Sequence, residues 1–151
     1  MPRFSIITPV YNPPREAFEL CVQSVIRQTN PDWEWCLAND ASSDDWVAPR
    51  LRELQLADPR IRMVERPANG GIVAASNDAI ALSESDFLVL LDNDDELHEE
   101  ALRMVADALD AQPDCDYLYS DENKIGPDGT HVEDFPKPRW SPERLLAQNY
   151  T

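Results

Sequence analysis

Residues 87–100 read FLVLLDNDDELHEE. Five apolar residues, Phe87 to Leu91, run directly into six acids within nine positions. A short apolar run bounded by turn residues reads as a strand of a parallel sheet, covered on both faces. The acids behind it repel one another, so crowding them at a strand tip costs stability unless a cation joins them. Asp92 and Asp94 are two apart and point the same way if extended geometry continues past the strand. Two hard oxygen donors from one loop suit Mg²⁺ or Mn²⁺, with waters and substrate phosphates completing the shell. The competing reading is helix capping, in which acids beside a helix start are stabilised by its dipole. Capping accounts for Glu96, Glu99 and Glu100. It accounts poorly for Asp92, which follows Leu91 directly and is expected to be partly buried.

Working outward, the hydrophobic periodicity predicts strands at Phe4–Thr8, Trp33–Ala38, Ile61–Glu65, Asp86–Leu91 and Tyr117–Ser120. Helices are predicted over Arg15–Gln28, near Pro49–Ala57, and over Ile72–Leu82 and Glu99–Ala111. In the first helix Phe18, Cys21, Val22, Val25 and Ile26 recur at helical spacing. Strand and helix therefore alternate, the rhythm of an α/β fold with a mainly parallel sheet and helices on both faces. After Ser120 the rhythm breaks. DENKIGPDGTHVEDFPKPRW carries a Gly-Pro-Asp-Gly turn and reads as a hairpin or long loop. SPERLLAQNY then reads as a short helix with Ser141 as N-cap and Pro142 at its first position. Residues 1–120 are expected to form the core domain and 121–151 the incomplete start of a further region.

The chain has 151 residues and a net charge of −16 at pH 7. That charge argues against nucleic acid as partner, which needs a basic footprint, and against adsorption to anionic lipid. Cys21, Cys36 and Cys115 form no CxxC pair, and the first two sit among apolar neighbours, as in a reducing compartment. No stretch is long and apolar enough to span a bilayer. The expected location is the cytoplasm, at most peripheral to the inner face of the cell membrane.

In an open parallel sheet, ligands bind outside the carboxyl ends of the strands. Four polar clusters fall there: TPVYN, NDASSDD, ERPANGG and DNDDE. The first, second and last are expected to share one crevice. Tyr11 there either stacks on a base or packs in the core. Asp40 either accepts a hydrogen bond from a pyrimidine N–H or forms an Asx-turn. Asn69-Gly70-Gly71 either brings backbone close to a ligand or only opens a helix. Other sites are poorer fits. An EF-hand counted from Asp92 would need Gly and Glu where Leu97 and Arg103 stand. No GxGxxG, P-loop or HExxH is present, and His98 and His131 read as surface residues.

SIITPVYN, NDASSDD, NGGIVAASNDAIALSESDFLVLLDNDDEL and YSDENKIGPDG…FPKPRWSPERLLAQNY, in this order, resemble the N-terminal, donor-binding portion of a family 2 glycosyltransferase. The resemblance is strongest to bacterial enzymes that build surface polysaccharide. It implies the GT-A fold, a Rossmann-like nucleotide-diphospho-sugar transferase architecture. It also implies transfer of a sugar from a UDP- or dTDP-sugar to an acceptor hydroxyl, with inversion, on a saccharide or lipid-linked saccharide. Matched residue by residue, Pro9 and Tyr11 lie against the base, Asp40 reads the uracil or thymine ring, and Asn69 and Gly70 lie near the nucleotide. Asn12, Asn77 and Asn93 fall in the same nucleotide-sugar site. Asp92-Asn93-Asp94 matches the DxD motif, with Asp92 and Asp94 holding Mn²⁺ or Mg²⁺ on the diphosphate.

The chain departs from the family in two places: Asn39-Asp40 stands where two acids are common, and Ser76 where an Arg often precedes the Asn. The family's catalytic base and much of its acceptor site lie in a later segment, so the resemblance implies that residues 121–151 are the start of the acceptor-side region, and the catalytic residue here is unknown. Asp121 and Glu122 are candidates only by position near a strand end. The chain is accordingly read as a donor-binding half, expected to bind nucleotide without turning over because the base lies beyond Thr151. The alternative is a non-catalytic nucleotide-sugar-binding or assembly module of a larger protein.

Overall fold

The first strand, β1 (Phe4–Val10), is buried along nearly its whole length and sits inside a four-stranded parallel sheet. Its neighbours are β2 (Trp33–Asn39) on one side and β4 (Phe87–Leu90) on the other, with β3 (Ile61–Glu65) beyond β2. The register pairs Phe4 with Trp33 and with Phe87. The structure is a computed structural model and describes residues 1–126 and 128–148. Two compact units divide at Asp107 and Ala108.

Helices α1 (Arg15–Ile26), α2 (Val47–Ala57) and α3 (Ile72–Ile80) connect the strands. The chain steps β1, β2, β3 in one direction and then crosses back to β4. Right-handed crossovers therefore set α1 and α2 on one face and α3 on the other. Side chains alternate accordingly. Ile7, Cys36 and Ala38 meet Ala75 and Ala79 of α3 in one cluster, where the small alanines let helix and sheet approach closely. On α1, Phe18, Cys21, Val22 and Val25 are buried, and fully burying Phe18 contributes about 1.5–3 kcal/mol. Ile26 is instead exposed, and Ser24 takes the buried place on that face.

Buried polar residues hold the segments that lead to and from the acidic loop. Glu34 on β2 accepts from Ser5 Oγ at 2.6 Å and from the Glu84 N–H at 2.6 Å, and pairs with Arg62 at 3.3 Å. One carboxylate thus ties three elements and the turn before β4. Beyond the loop, Ser24 Oγ accepts from the Leu97 N–H at 3.1 Å. Gln28 donates to the His98 carbonyl at 2.8 Å and accepts from the Leu102 N–H at 3.1 Å, satisfying an otherwise unpaired donor in the first turn of α4 (Ala101–Ala111).

Three expectations need correction. β4 is an edge strand, and only one of its faces is covered. Leu88 and Leu90 are 45% and 73% exposed because α3, nine residues long, packs over β1 and β2 and leaves that face open. The helix expected from Glu99 begins at Ala101, with Glu99 and Glu100 in the turn before it. Tyr117–Ser120 is not a strand: it has no ladder partner among the described residues, and two of its tyrosines pack on Trp140 instead.

The second unit contains the expected hairpin, β5 (Glu122–Ile125) antiparallel to β6 (His131–Phe135), and the short helix α5 (Pro142–Ala147). Ser141 caps α5 by accepting from the Arg144 N–H at 3.2 Å. Pro127 of the expected turn, and Asn149 and Tyr150 of the expected helix, lie outside the described residues.

Candidate functional site

A crevice lies outside the carboxyl ends of the strands, between the loops after β1, β2 and β4 and the start of α3. A cavity of about 440 Å³ lies there. Pro9, Tyr11, Asn12, Asp40, Asn69, Asp92, Asn93 and Asp94 all line it, from all four polar clusters rather than three. Sequence reading missed its apolar wall, to which Pro13, Ile72 and Ala75 contribute. Helix periodicity marked Ile72 and Ala75 as helical without saying which strand ends they would face. Asn77 and Gly70 do not line the cavity.

Asp40 is 2% exposed, and its carboxylate organises the floor. Oδ1 accepts from the Gly70 N–H at 2.9 Å and from Arg66 Nη1 at 3.1 Å; Oδ2 accepts from the Gly71 N–H at 2.8 Å. Arg66 also pairs with Asp78 on α3, at 2.9 Å. A buried carboxylate must be matched by donors, and these three supply them. The turn after β2 is closed by Asn39 rather than Asp40: Asn39 Oδ1 accepts from the Ser42 N–H three residues on, at 3.0 Å. Gly71 has φ +81°, a backbone that favours glycine, and serves as the N-cap of α3. At Gly70 a Cβ would lie 2.6 Å from Arg66 Nη1, so a larger residue there requires the guanidinium to shift from its place on Asp40.

Asn12, at φ +44°, joins two loops. Its Oδ1 accepts from the Ser43 and Asp44 N–H groups at 2.9 and 3.1 Å, and its Nδ2 donates to Ser43 Oγ at 2.9 Å. Tyr11 is half-exposed, so of its two readings the packed-core one does not hold. Asn93 Nδ2 donates to the Pro9 carbonyl at 2.9 Å, fastening the acidic loop to the end of β1.

Asp92 is exposed, not partly buried as its place directly after Leu91 suggested, and it lines the cavity. Partial desolvation, and after it the Asp94 charge, push its carboxyl above the ordinary value of 3.8. Both causes would be relieved by a cation. Among the described residues no group of three or more His, Cys, Asp or Glu side chains is placed to hold a metal ion. Two carboxylates on one cavity fit a divalent ion only as a site completed by water and a substrate's phosphates, which is how Mg²⁺ is commonly bound. Cys21 behind the loop is inert: burial first, then the neighbouring acids, push its thiol up to about 12.

The family model for glycosyl transferase family 2 matches residues 5–148. The chain belongs to that family. Among relatives of this glycosyltransferase chain is "Uncharacterized protein y4gI" of Sinorhizobium fredii, 41% identical over 149 residues, which are 99% of this chain and 16% of that protein. Another is the O-antigen biosynthesis protein RfbC of Myxococcus xanthus, 36% identical, with 99% of this chain and 12% of that protein covered. The chain thus spans less than a fifth of either relative. Among solved structures, Staphylococcus aureus TarS 1–349 in complex with UDP-GlcNAc superposes with a TM-score of 0.65 at 26% identity, covering 74% of this chain and 32% of that one. The parallel sheet and its helices are GT-A-like, as in that neighbour. Among the described residues no helix is long and apolar enough to cross a membrane.

Two outcomes test this geometry. If Arg66 is why position 70 must be glycine, Gly70→Ala costs less stability in an Arg66→Ser background than in the parent. The coupling expected in a urea-denaturation cycle is about 0.5–3 kcal/mol, and additive costs would contradict it. For Asp92 the native carboxyl is the weaker acid of the two states. Its contribution is present below the unfolded value and lost as pH rises through the raised native one. Metal-free Asp92→Asn should therefore melt higher than the parent at about pH 7, and the gap should narrow toward about pH 3. A variant that melts lower at the higher pH contradicts the assignment.

Proposed function

We propose that the chain is the donor-binding part of a metal-dependent glycosyltransferase of polysaccharide synthesis, acting in the cytoplasm or at the inner face of the membrane. Its reaction is transfer of a sugar from a UDP- or dTDP-sugar to a hydroxyl of a saccharide or lipid-linked saccharide, with inversion. The observation that carries this reading is the single cavity that joins Tyr11 and Asp40 at one part to Asp92 and Asp94 at another. A nucleotide-sugar has a matching division into base and diphosphate. The polysaccharide assignment is supported by the name of the RfbC relative, and the uridine donor by the UDP-GlcNAc in the TarS complex.

Tyr11 offers a face for base stacking. Oδ2 of Asp40 accepts one N–H and, as a carboxylate oxygen, can accept a second, which a uracil or thymine N–H would supply. Asp92 and Asp94 would hold Mn²⁺ or Mg²⁺ against the diphosphate. When bound, such an ion acts as a Lewis acid for the charge that grows on the departing nucleoside diphosphate. Asn93 and Asn12 act as positioning residues, holding the loops that carry those groups. The proton of the acceptor hydroxyl requires a general base, for which no residue of this chain is put forward.

By calorimetry on this chain, UDP should bind more tightly with Mn²⁺ or Mg²⁺ than without, by roughly tenfold or more, and Asp94→Ala should remove that gain while leaving the metal-free affinity in place. Equal UDP affinity with and without metal would contradict the metal assignment. No UDP or dTDP binding in either condition would contradict the donor reading.

A further inference from the structure

We propose that Tyr117 and Trp140 form a stacking platform for the pyranose ring of a neutral saccharide. This rests on the glycosyltransferase reading above and assigns a saccharide site within the second unit. Three rings touch there. Tyr117 and Trp140 have centroids 5.1 Å apart, Tyr119 and Trp140 6.3 Å, and Tyr117 and Tyr119 6.2 Å. Tyr119 is the anchor: it is partly buried, and its hydroxyl donates to the Pro138 carbonyl at 2.7 Å. The outer rings, Tyr117 and Trp140, remain 54% and 48% exposed.

The platform is built in advance. Besides the Tyr119 bond, the Lys137 N–H donates to Asp121 Oδ1 at 2.7 Å, and Lys137 Nζ pairs with Glu122 at 2.9 Å while lying 4.9 Å from the Phe135 ring centroid. Residues 135–140 are therefore fastened to 119–122 at three points. A ligand would not have to order them, which lowers the entropic cost of binding.

The chemistry around the rings selects among occupants. Asp114, Asp116, Asp121 and Glu122 flank the tyrosines in sequence, and acids outnumber bases in this unit. Lys137 is taken up by Glu122, and although Arg139 adjoins Trp140 the excess of acids disfavours a nucleotide or acidic polymer. An apolar peptide would leave those carboxylates facing its greasy rim. A neutral pyranose satisfies both parts: its C–H face meets the electron-rich face of an indole or phenol, and its hydroxyls donate to carboxylates or water.

The test uses the full chain with methyl β-glucopyranoside, methyl β-galactopyranoside and N-acetylglucosamine as probes. Saturation-transfer NMR should place the strongest transfer on ring C–H protons of at least one probe. The Trp140 indole N–H resonance, assigned by its loss in Trp140→Phe, should move on titration. Saturation transfer should survive in Trp140→Phe and weaken by roughly tenfold or more in Trp140→Leu and Tyr117→Ala, since only the aromatic residues retain the π face. An unchanged response in Trp140→Leu, no response to any probe, or a Trp140 shift that follows protein concentration alone overturns the platform. UDP binding with Mn²⁺ is measured on the same samples. If UDP binds and no sugar does, the platform fails and the donor reading stands. If the sugar binds and UDP does not, the donor reading fails and the platform stands.

Discussion

Everything at the site depends on β1 having parallel neighbours reached from opposite directions. β2 and β4 lie on either side of it; the chains leaving β1 and β4 both run to the α1 face, where Ser24 and Gln28 hold the segment after the acidic loop, while α3 starts on the opposite face. Between those loops and the start of α3 lies a cavity with acids and amides on one part and an apolar wall on another. The alternation of side chains then decides which groups face it. β4 carries no polar side chain of its own, so its role is to deliver Asp92 and Asp94 to the rim at a fixed height. That height is set at the far end of the sheet, where Glu34 holds the turn before Phe87.

A second constraint is the buried carboxylate of Asp40. Arg66 is its one cationic partner among the described residues, and removing the partner of a buried charge typically costs on the order of 3–5 kcal/mol. The loop at Gly70-Gly71, the side chain of Arg66 and the start of α3 are therefore coupled through one residue. This gives the pocket floor stiffness. Its apolar wall needs no such device, because Ala75 is already fixed by packing against the sheet.

The sequence made the parallel core legible because both signals it uses are local: apolar runs bounded by turns, and helical spacing between them. Ile61–Glu65 was read with its observed bounds, and β1, β2, α1, α2 and α3 within a few residues. The uncovered face of β4 was not legible, since an apolar run does not say whether a helix reaches the sheet edge. Tyr117–Ser120 has strand-forming residues but its packing partner, Trp140, lies twenty residues away and is a side chain, not a ladder. At the site, residue types named the acids, Tyr11 and Asp40. They could not name Arg66, Ser24 or Gln28, whose importance comes only from what the fold places beside them.

The central claim is that one cavity takes the nucleotide at Tyr11 and Asp40 and the metal at Asp92 and Asp94. A crystal of this chain soaked with UDP and Mn²⁺ tests it most directly. The account predicts density for the uracil against Tyr11 with its N–H on Asp40, and an anomalous Mn²⁺ peak bonded to a carboxylate of Asp92 or Asp94 and to the diphosphate. A nucleotide bound elsewhere, or Mn²⁺ with no contact to either aspartate, would contradict it.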